Sequence, residues 1–553
     1  MTRWPGRAGP AGTQDTQGPA AAARSVGTAG LIAIGVSVAC TFAVAAAGPS
    51  VMEPALPGRP GTPPWSLGLH PSPYLAVGLT AAGLAAGTTG LVLVLRAVRG
   101  GWSVPVRAVL VAGLLAAAAL TLVPPFGSSD HLSYAAYGRM LVTGHNPYTT
   151  TPAQLAAAGD PIARAVQDWS GSPSVYGPLA TAIQGLASLA GGTSVRLTVF
   201  VLGLANLAAF AVTALLLHRT TRHDPVRQLR AALLWACNPL LLQVLVAGAH
   251  VDGLAVVFGV AAVAVMSQGG TGRRAGGSPP RASTAAIAGA LVGLGFAVKV
   301  TVALVGLGLA IALVLQPGRG WRRLVPPLAA LGAGFAVTAG AAVAIGGPAM
   351  LRQSSRASDM VSIGSPWRLI RTVIQLAVAG TAATDIVKAG AVALAVVLAV
   401  LLIRGLPGLA AGRGPGTGPD PGRYASVTFA LALAWLFAWP YVLPWYDALA
   451  WALLPLVPLG PGAVEGVSWL LLARTAALGF GYLPARQTDA ALPPGLGWLQ
   501  PVVRHGVTPA VLAAATAWLV VLMVRRDGPA GRPRRAADMP PEASEAPARG
   551  AVR

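Results

Sequence analysis

Thr284-Ala-Ala-Ile-Ala-Gly-Ala-Leu-Val-Gly-Leu-Gly-Phe-Ala-Val-Lys299-Val-Thr-Val-Ala-Leu-Val-Gly-Leu-Gly-Leu-Ala-Ile-Ala-Leu-Val-Leu315 decides the class of fold. The run carries one charge, Lys299, in an otherwise apolar stretch. A single helical crossing of a bilayer needs about 20 apolar residues, so this run is too long for one perpendicular span. Arginines flank it on both sides: Arg273, Arg274 and Arg281 before, Arg319, Arg322 and Arg323 after. Basic residues collect on the cytoplasmic side, so both ends lie on that side. The run is therefore predicted to be a hairpin of two short helices with Lys299 at its outer tip.

The same arginine bias organises the rest of the chain. Further spans are predicted near 25–47, 73–97, 104–124, 194–218, 228–247, 251–267, 324–345, 383–403, 424–440, 445–460, 465–483 and 506–524. With the hairpin this makes about 12–14 spans, both termini cytoplasmic. Residues 177–190 and 366–380 are apolar but read better as re-entrant or interfacial helices of the outer loops. The predicted fold is all-α, a polytopic transmembrane helical bundle over residues 25–526. Residues 1–24 and 527–553 are polar, Gly/Pro-rich or Pro/Ala/Arg-rich, and are predicted to be disordered cytoplasmic ends. The longest polar interruption, 125–176, falls outside the cell.

Composition agrees. Of 553 residues, 54% are hydrophobic and only 10% charged, against about 25% charged in a soluble domain. Lipid-facing surface needs no charges. The net charge of +22 would suggest nucleic acid in a soluble chain. Here the arginines flank apolar spans, so nucleic acid is not the expected partner; the lipid bilayer is. The two cysteines, Cys40 and Cys237, form no disulfide framework or metal motif.

Acidic residues are scarce enough to audit. Nine fall on the predicted outer side: Glu53, Asp130, Asp160, Asp168, Asp252, Asp359, Asp385, Asp447 and Asp489. Asp130 stands just beyond the end of a span, in Phe126-Gly-Ser-Ser-Asp130-His-Leu-Ser-Tyr134-Ala-Ala-Tyr137-Gly-Arg139. Tyr134 and Tyr137 follow it on one helix face. Next come Gly144-His-Asn146-Pro147-Tyr148 and Trp169-Ser-Gly-Ser-Pro-Ser-Val-Tyr176-Gly177-Pro178. Aromatic rings beside a lone carboxylate suit a sugar, whose apolar face stacks while its hydroxyls hydrogen-bond. The bland alternative is that Asp130 merely caps a helix.

Four other groups need explaining. His250-Val-Asp252 sits at the mouth of two spans. Lys299 is a charge in an apolar hairpin, functional or snorkelling. Arg352, Arg356, Arg368 and Arg371 lie outside against the positive-inside bias; a phosphate partner or plain loop solvation explains them. Pro440-Tyr-Val-Leu-Pro444-Trp445-Tyr446-Asp447 is an interfacial aromatic belt or a site wall. Arg474, mid-span, needs a buried partner that the sequence does not name.

Taken in order, these motifs resemble the GT-C glycosyltransferases, and within them the polyprenyl-phosphate-mannose-dependent α-(1→6) mannosyltransferases of high-GC Gram-positive bacteria. The similarity rests on Asp130 with Tyr134 and Gly138, Gly144 to Tyr148, Tyr176-Gly177-Pro178, His250-Val-Asp252, Gly295 to Lys299, and Pro444-Trp445-Tyr446. The resemblance implies an inverting multi-pass enzyme of the cell (plasma) membrane with an extracytoplasmic active site. Its donor would be a polyprenyl-phosphate sugar and its acceptor a glycolipid or lipoglycan. Asp130 would be the catalytic base. Lys299, Arg352 and Arg356 are candidates for the donor phosphate. Tyr134, Asn146, Tyr148, Tyr176, His250, Asp252, Trp445 and Tyr446 are candidates for sugar or acceptor contact. The resemblance implies that a divalent metal is optional, and many members carry paired acids at the first position; here His131 follows Asp130, so the diacidic motif that would support a metal is absent and no cofactor is assigned. The alternatives are a GT-C transferase for another sugar, or a lipid or polysaccharide transporter with ionisable residues along a midplane path.

Overall fold

The computed structural model describes residues 19–59, 61–268, 280–316, 320–406, 422–458, 463–485 and 492–527. Most of the two expected disordered ends, 1–18 and 528–553, therefore lies outside the described residues. Residues 19–24, expected in the disordered segment, open the first helix, Pro19–Ala47. The stretch Pro-Ala-Ala-Ala-Ala-Arg is rich in alanine, the strongest helix former, and proline suits a first turn.

The described residues are helical throughout, with no strand beyond an isolated Ser50–Glu53 bridge. Seven helices among them are long and apolar enough to cross a membrane: Ala21–Ala47, Pro73–Arg99, Val195–Thr220, Pro225–Ala247, Trp321–Ser358, Gly380–Gly405 and Pro494–Arg525. Shorter apolar helices join them, among them Val106–Thr121, Asp252–Gln268 and Gly422–Ala438. This is an all-α, multi-pass membrane bundle, as the apolar runs predict.

The 284–315 run forms the expected hairpin. Ala282–Phe296 and Ala303–Val314 are separated by a break at Ala297–Lys299 and one 3₁₀ turn, Val300–Val302. Ala282–Phe296 packs closely on Trp321–Ser358. A Cβ on Gly289 would sit 2.0 Å from the Leu331 carbonyl oxygen. One on Gly334 would sit 2.0 Å from that of Ala286. Small residues let helix backbones approach where lipid offers no hydrophobic drive for association.

Three of these spans depart from regular helix, among them Pro494–Arg525, whose Leu499–Val507 stretch takes wider turns. In Pro225–Ala247 the α-helical ladder gives way to wider turns at Ala232–Ala236 and Leu242–Ala247. Asn238-Pro239 lies between them, and the Asn238 side chain accepts from the Leu240 and Leu241 N–H groups. Nearly all of this span is buried, which is where an irregular backbone is tolerated at membrane depth. Trp321–Ser358 kinks at Gly347, whose φ is +68°, just before Pro348. The kink turns Gln353 and Ser354 toward the loop after Asp130. Gln353 donates to the Tyr148 carbonyl at 3.2 Å, and Ser354 to that of Val175 at 3.3 Å.

The predicted span at 445–460 is not one helix. Pro444–Asp447, Ala448–Leu453 and Leu454–Leu456 are short pieces in a buried layer. Pro444 and Pro455 remove the N–H groups that a continuous helix needs. Residues 459–462 lie outside the described residues. The first piece supplies the partner that Arg474 requires. Asp447 accepts from Arg474 Nε at 2.9 Å and from Thr475 Oγ1 at 2.7 Å. Both charged side chains are almost wholly excluded from solvent, at 0% and 2% exposure.

Removing one member of such a pair strands the other charge, at a cost of about 3–5 kcal/mol. Arg474→Met and Asp447→Asn should each lower stability by that order in detergent unfolding. Arg474→Met combined with Asp447→Leu should recover most of the loss. Additive losses in the double variant would show that the two residues do not act as a pair.

Candidate functional site

Asp130 is the first residue of the helix Asp130–Val142, and Ser129 precedes it as the cap. Neither side chain caps the helix. The Asp130 backbone N–H donates to Ser128 Oγ at 3.0 Å. The Ser129 hydroxyl donates to the Asp168 carboxylate. The capping alternative is thereby removed: the Asp130 carboxylate is left free of the helix end.

That carboxylate stands where two cavities meet. The larger, about 640 Å³, is lined by Asp130, Asp168, Trp169, Arg371, Tyr482 and Arg504, with apolar neighbours. The smaller, about 240 Å³, is lined by Asp130, Tyr134, Tyr176, Arg356, Trp445 and Tyr446, among others. Trp169, Met360, Tyr441 and Leu443 are shared by both. Among the described carboxylates, Asp130 alone lines both cavities.

The smaller cavity is walled by aromatic side chains. Tyr134 and Tyr176 meet edge to face at 5.2 Å, with their hydroxyls 3.3 Å apart. The Tyr137 hydroxyl donates to the Ser172 carbonyl at 3.0 Å and tethers the loop. Trp169 adopts φ +64°, a region that side chains other than glycine rarely occupy. That backbone turn puts its indole at the boundary of both cavities.

A shell of paired charge lies behind this wall. His250 stacks on Trp445 at 3.5 Å between ring centres, and its Nδ1 is 3.6 Å from Asp130 Oδ2. Burial, with the Lys299 charge, holds the His250 imidazole well below its usual range. His250 is therefore neutral beside Asp130, and no ion pair forms. Lys299 is not a snorkelling tip. Its ammonium donates to Asp252 at 2.7 Å and lies 3.9 Å from the centre of the Tyr446 ring.

The loop after Asp130–Val142 is locked to this shell by backbone. Gly177 N–H donates to the Val298 carbonyl at 3.0 Å, and Leu179 N–H to Ala297 at 2.9 Å. A Cβ on Gly177 would lie 2.2 Å from the Ala297 oxygen. Only glycine fits there, which explains Tyr176-Gly177-Pro178 physically: it docks on the break that presents Lys299.

The candidate residues do not all converge. Asp130, Tyr134, Tyr176, Arg356, Trp445 and Tyr446 line a cavity; His250, Asp252 and Lys299 stand directly behind. Asn146, Tyr148 and Arg352 line neither cavity. Asn146 Oδ1 accepts from the Tyr148 N–H at 2.8 Å and so closes a turn. Tyr148 packs beneath the loop, its hydroxyl 3.1 Å from Thr181 Oγ1. Their motif shapes the loop rather than the wall. Tyr482 and Arg504 were not singled out by sequence. An arginine just ahead of the last span, in Val503-Arg504-His505-Gly506, was the available signal. Among the described residues no three or more His, Cys, Asp or Glu side chains gather as metal ligands.

Burial raises the Asp130 carboxyl from 3.8 to about 6; the nearby Asp168 charge pushes the same way, and Lys299 opposes. The group is mostly ionised at neutral pH and can accept a proton there.

The fold and site define an all-helical, multi-pass membrane protein with a raised carboxylate between an aromatic cavity and a larger one. Residues 25–316, just over half the chain, match the MptA_B family, described as alpha-(1->6)-mannopyranosyltransferase, N-terminal domain, and the chain belongs to that family. A Mycolicibacterium smegmatis protein named "Probable alpha-(1->6)-mannopyranosyltransferase" is 34% identical over 137 residues, 24% of each chain. Alpha-(1->6)-mannopyranosyltransferase B of Corynebacterium glutamicum is 27% identical over 210 residues, 38% of this chain and 35% of that one. The matches thus span about a quarter to a third of these relatives' own length. Among solved structures, ArnT from Cupriavidus metallidurans bound to undecaprenyl phosphate aligns over 72% of each chain, with 15% identity and a TM-score of 0.35.

The raised carboxyl makes a stability prediction. The folded state holds the Asp130 proton more tightly than the unfolded chain, so stability falls as pH rises from 3.8 to about 6. Asp130→Asn should unfold later than wild type at pH 7.5, by at most about 3 kcal/mol, and no later below pH 4. Identical unfolding curves at both pH values would show that the carboxylate is not held in a desolvated site.

Proposed function

We propose that this chain transfers mannose from polyprenyl-phosphate mannose to a lipid-linked mannan or lipoglycan, on the outer face of the cell membrane and with inversion. One observation carries the reading: a single carboxylate, free of cap and ion pair, stands where a sugar-sized aromatic cavity meets a larger one. The names of the family and its relatives support mannose and the α-(1→6) linkage. The arginine bias of the sequence supports the outer face, with both termini cytoplasmic.

The chemistry needs few parts. A sugar phosphate already carries a good leaving group, so no general acid is required. Asp130 takes the proton of the acceptor hydroxyl as that oxygen attacks the anomeric carbon. The bond from that carbon to the phosphate oxygen breaks, and the electron pair leaves with the phosphate. Attack and departure on opposite faces invert the centre. Two substrates reaching one carboxylate from two sides suit two cavities meeting at Asp130. Tyr134, Tyr176, Trp445 and Tyr446 offer ring faces to a hexose. Arg356, on the same wall, is a hydrogen-bond donor to its hydroxyls. Lys299, paired with Asp252, holds Tyr446 and opposes protonation of Asp130. A glycosidase needs two carboxylates about 5–9.5 Å apart in separate acid and base roles, and gains nothing from a bilayer.

General-base removal costs about 10²–10⁴-fold in rate. Purified Asp130→Asn, given polyprenyl-phosphate mannose and an oligomannoside acceptor, should lose transfer by that factor while remaining folded. Transfer at the wild-type rate would remove Asp130 from the reaction. Competition among polyprenyl-phosphate sugars in membranes should show mannose as the preferred donor; preference for arabinose or glucose would reassign the sugar.

A further inference from the structure

Four cations near the site or in the bundle are matched by carboxylates. Arg139 meets Asp160, Lys299 meets Asp252, Lys388 meets Asp359, and Arg474 meets Asp447. Two arginines on the larger cavity are not. Among the described residues, neither Arg371 nor Arg504 pairs with a carboxylate. Arg504 is buried, at 5% exposure. It donates to the Gly481 carbonyl at 2.6 Å and the Pro484 carbonyl at 3.3 Å, and lies 5.1 Å from the centre of the Tyr482 ring. Arg371 has a buried Nε with no hydrogen-bond partner. An unbalanced buried cation is costly, and an anion arriving in the cavity offsets that cost.

The cavity is bounded by elements that carry exposed apolar side chains. Arg371 belongs to the helix Pro366–Ile374, in which no residue is buried. Leu369, Ile370, Val373 and Arg368 are exposed there, while Arg371 is half-buried against the cavity. Apolar and basic residues on separate faces of a short helix mark one that lies in the membrane interface. Arg504 comes from the irregular stretch Leu499–Val507 of the Pro494–Arg525 span, and Thr508, at the start of that span's regular helix, also lines the cavity. Met360, Val361, Ile363, Leu443 and Leu478 give the cavity an apolar lining. Of the three acids of the cavity, Asp359 is held by Lys388 and Asp168 by Ser129; only Asp130, the base, is left free. Tyr482 is near enough to feel both Arg504 and Asp130.

Resting on the transferase reading above, we propose that the larger cavity is the lipid-phosphate site, where Arg371 and Arg504 hold the phosphate of a lipid entering sideways past the helix Pro366–Ile374. The donor phosphate then departs toward these two arginines, and the acceptor sugar takes the aromatic cavity. Arg352, which lines neither cavity, has no part in it. Guanidinium groups suit the task because their planar donors grip two phosphate oxygens at once.

The test is direct binding to the full chain in detergent or nanodiscs. The probes are undecaprenyl phosphate, undecaprenol and inorganic phosphate. Wild type should bind undecaprenyl phosphate at least tenfold tighter than either of the others. Arg371→Gln breaks no hydrogen bond seen here and should fold; it should weaken undecaprenyl phosphate at least tenfold. Arg504→Lys keeps the charge and serves where Arg504→Gln does not fold; it should weaken binding less than Arg371→Gln. The assignment is overturned if Arg371→Gln binds as wild type, or if Arg356→Gln takes the loss instead. Inorganic phosphate binding as tightly as the lipid would make this a free-phosphate site and overturn the lipid. Failure of the transferase reading looks different: Arg371-dependent binding would persist with no mannosyl transfer by wild type. Transfer without Arg371-dependent binding would keep that reading and discard this one.

Discussion

The architecture of the site hangs on a lysine that the bilayer would not accept alone. Lys299 interrupts an apolar hairpin, and an unpaired charge at that depth costs several kcal/mol. Asp252, from the next helix back in sequence, neutralises it at 2.7 Å. The helix breaks at Ala297–Lys299, where the lysine meets Asp252, and the break exposes two backbone carbonyls. Those carbonyls receive the N–H groups of Gly177 and Leu179. A charge constraint in the membrane thus becomes a docking point for the loop that carries the chemistry.

Consequences run outward from that point. Tyr176, one residue before the docked glycine, is aimed at Tyr134 and closes the aromatic wall. Tyr446 is held from behind by the lysine ammonium. Trp445 is held by His250, neutral because it is buried. Asp130 sits at the edge of this ordered shell, the one carboxylate of the group that is not spent on a cation, a hydroxyl or a helix end. Burial, with the Asp168 charge beside it, raises its pKa.

The kink at Gly347 and the interfacial helix Pro366–Ile374 form the opposite side. One brings Arg356 over the aromatic cavity; the other brings Arg371 to the larger one. Both come from the connection between the Trp321–Ser358 and Gly380–Gly405 spans. That connection carries four arginines, and two of them line cavities while Arg352 does not.

Much of this was legible in order, and little of it in space. The apolar runs and the arginine ledger determined an all-helical multi-pass bundle, because a chain with 10% charge cannot face water and a helix is the cheapest way to satisfy backbone in lipid. The hairpin with Lys299 at its break was likewise written in length and flanking charge. Asp130 could be singled out, but its alternative as a helix cap could not be removed, since cap and base look alike along a sequence. Only the fold showed Ser129 turned to Asp168 and the Asp130 carboxylate left to two cavities. The partner of Arg474, the short buried pieces where one span was expected at 445–460, and the shift of Asn146 and Tyr148 from wall to scaffold were also decided by tertiary structure. The reason is the same in each case. Local pattern reports which residues lipid excludes or admits, a property of each residue and its neighbours. Which polar groups meet depends on distances between segments far apart in the chain, and those distances are set by packing alone.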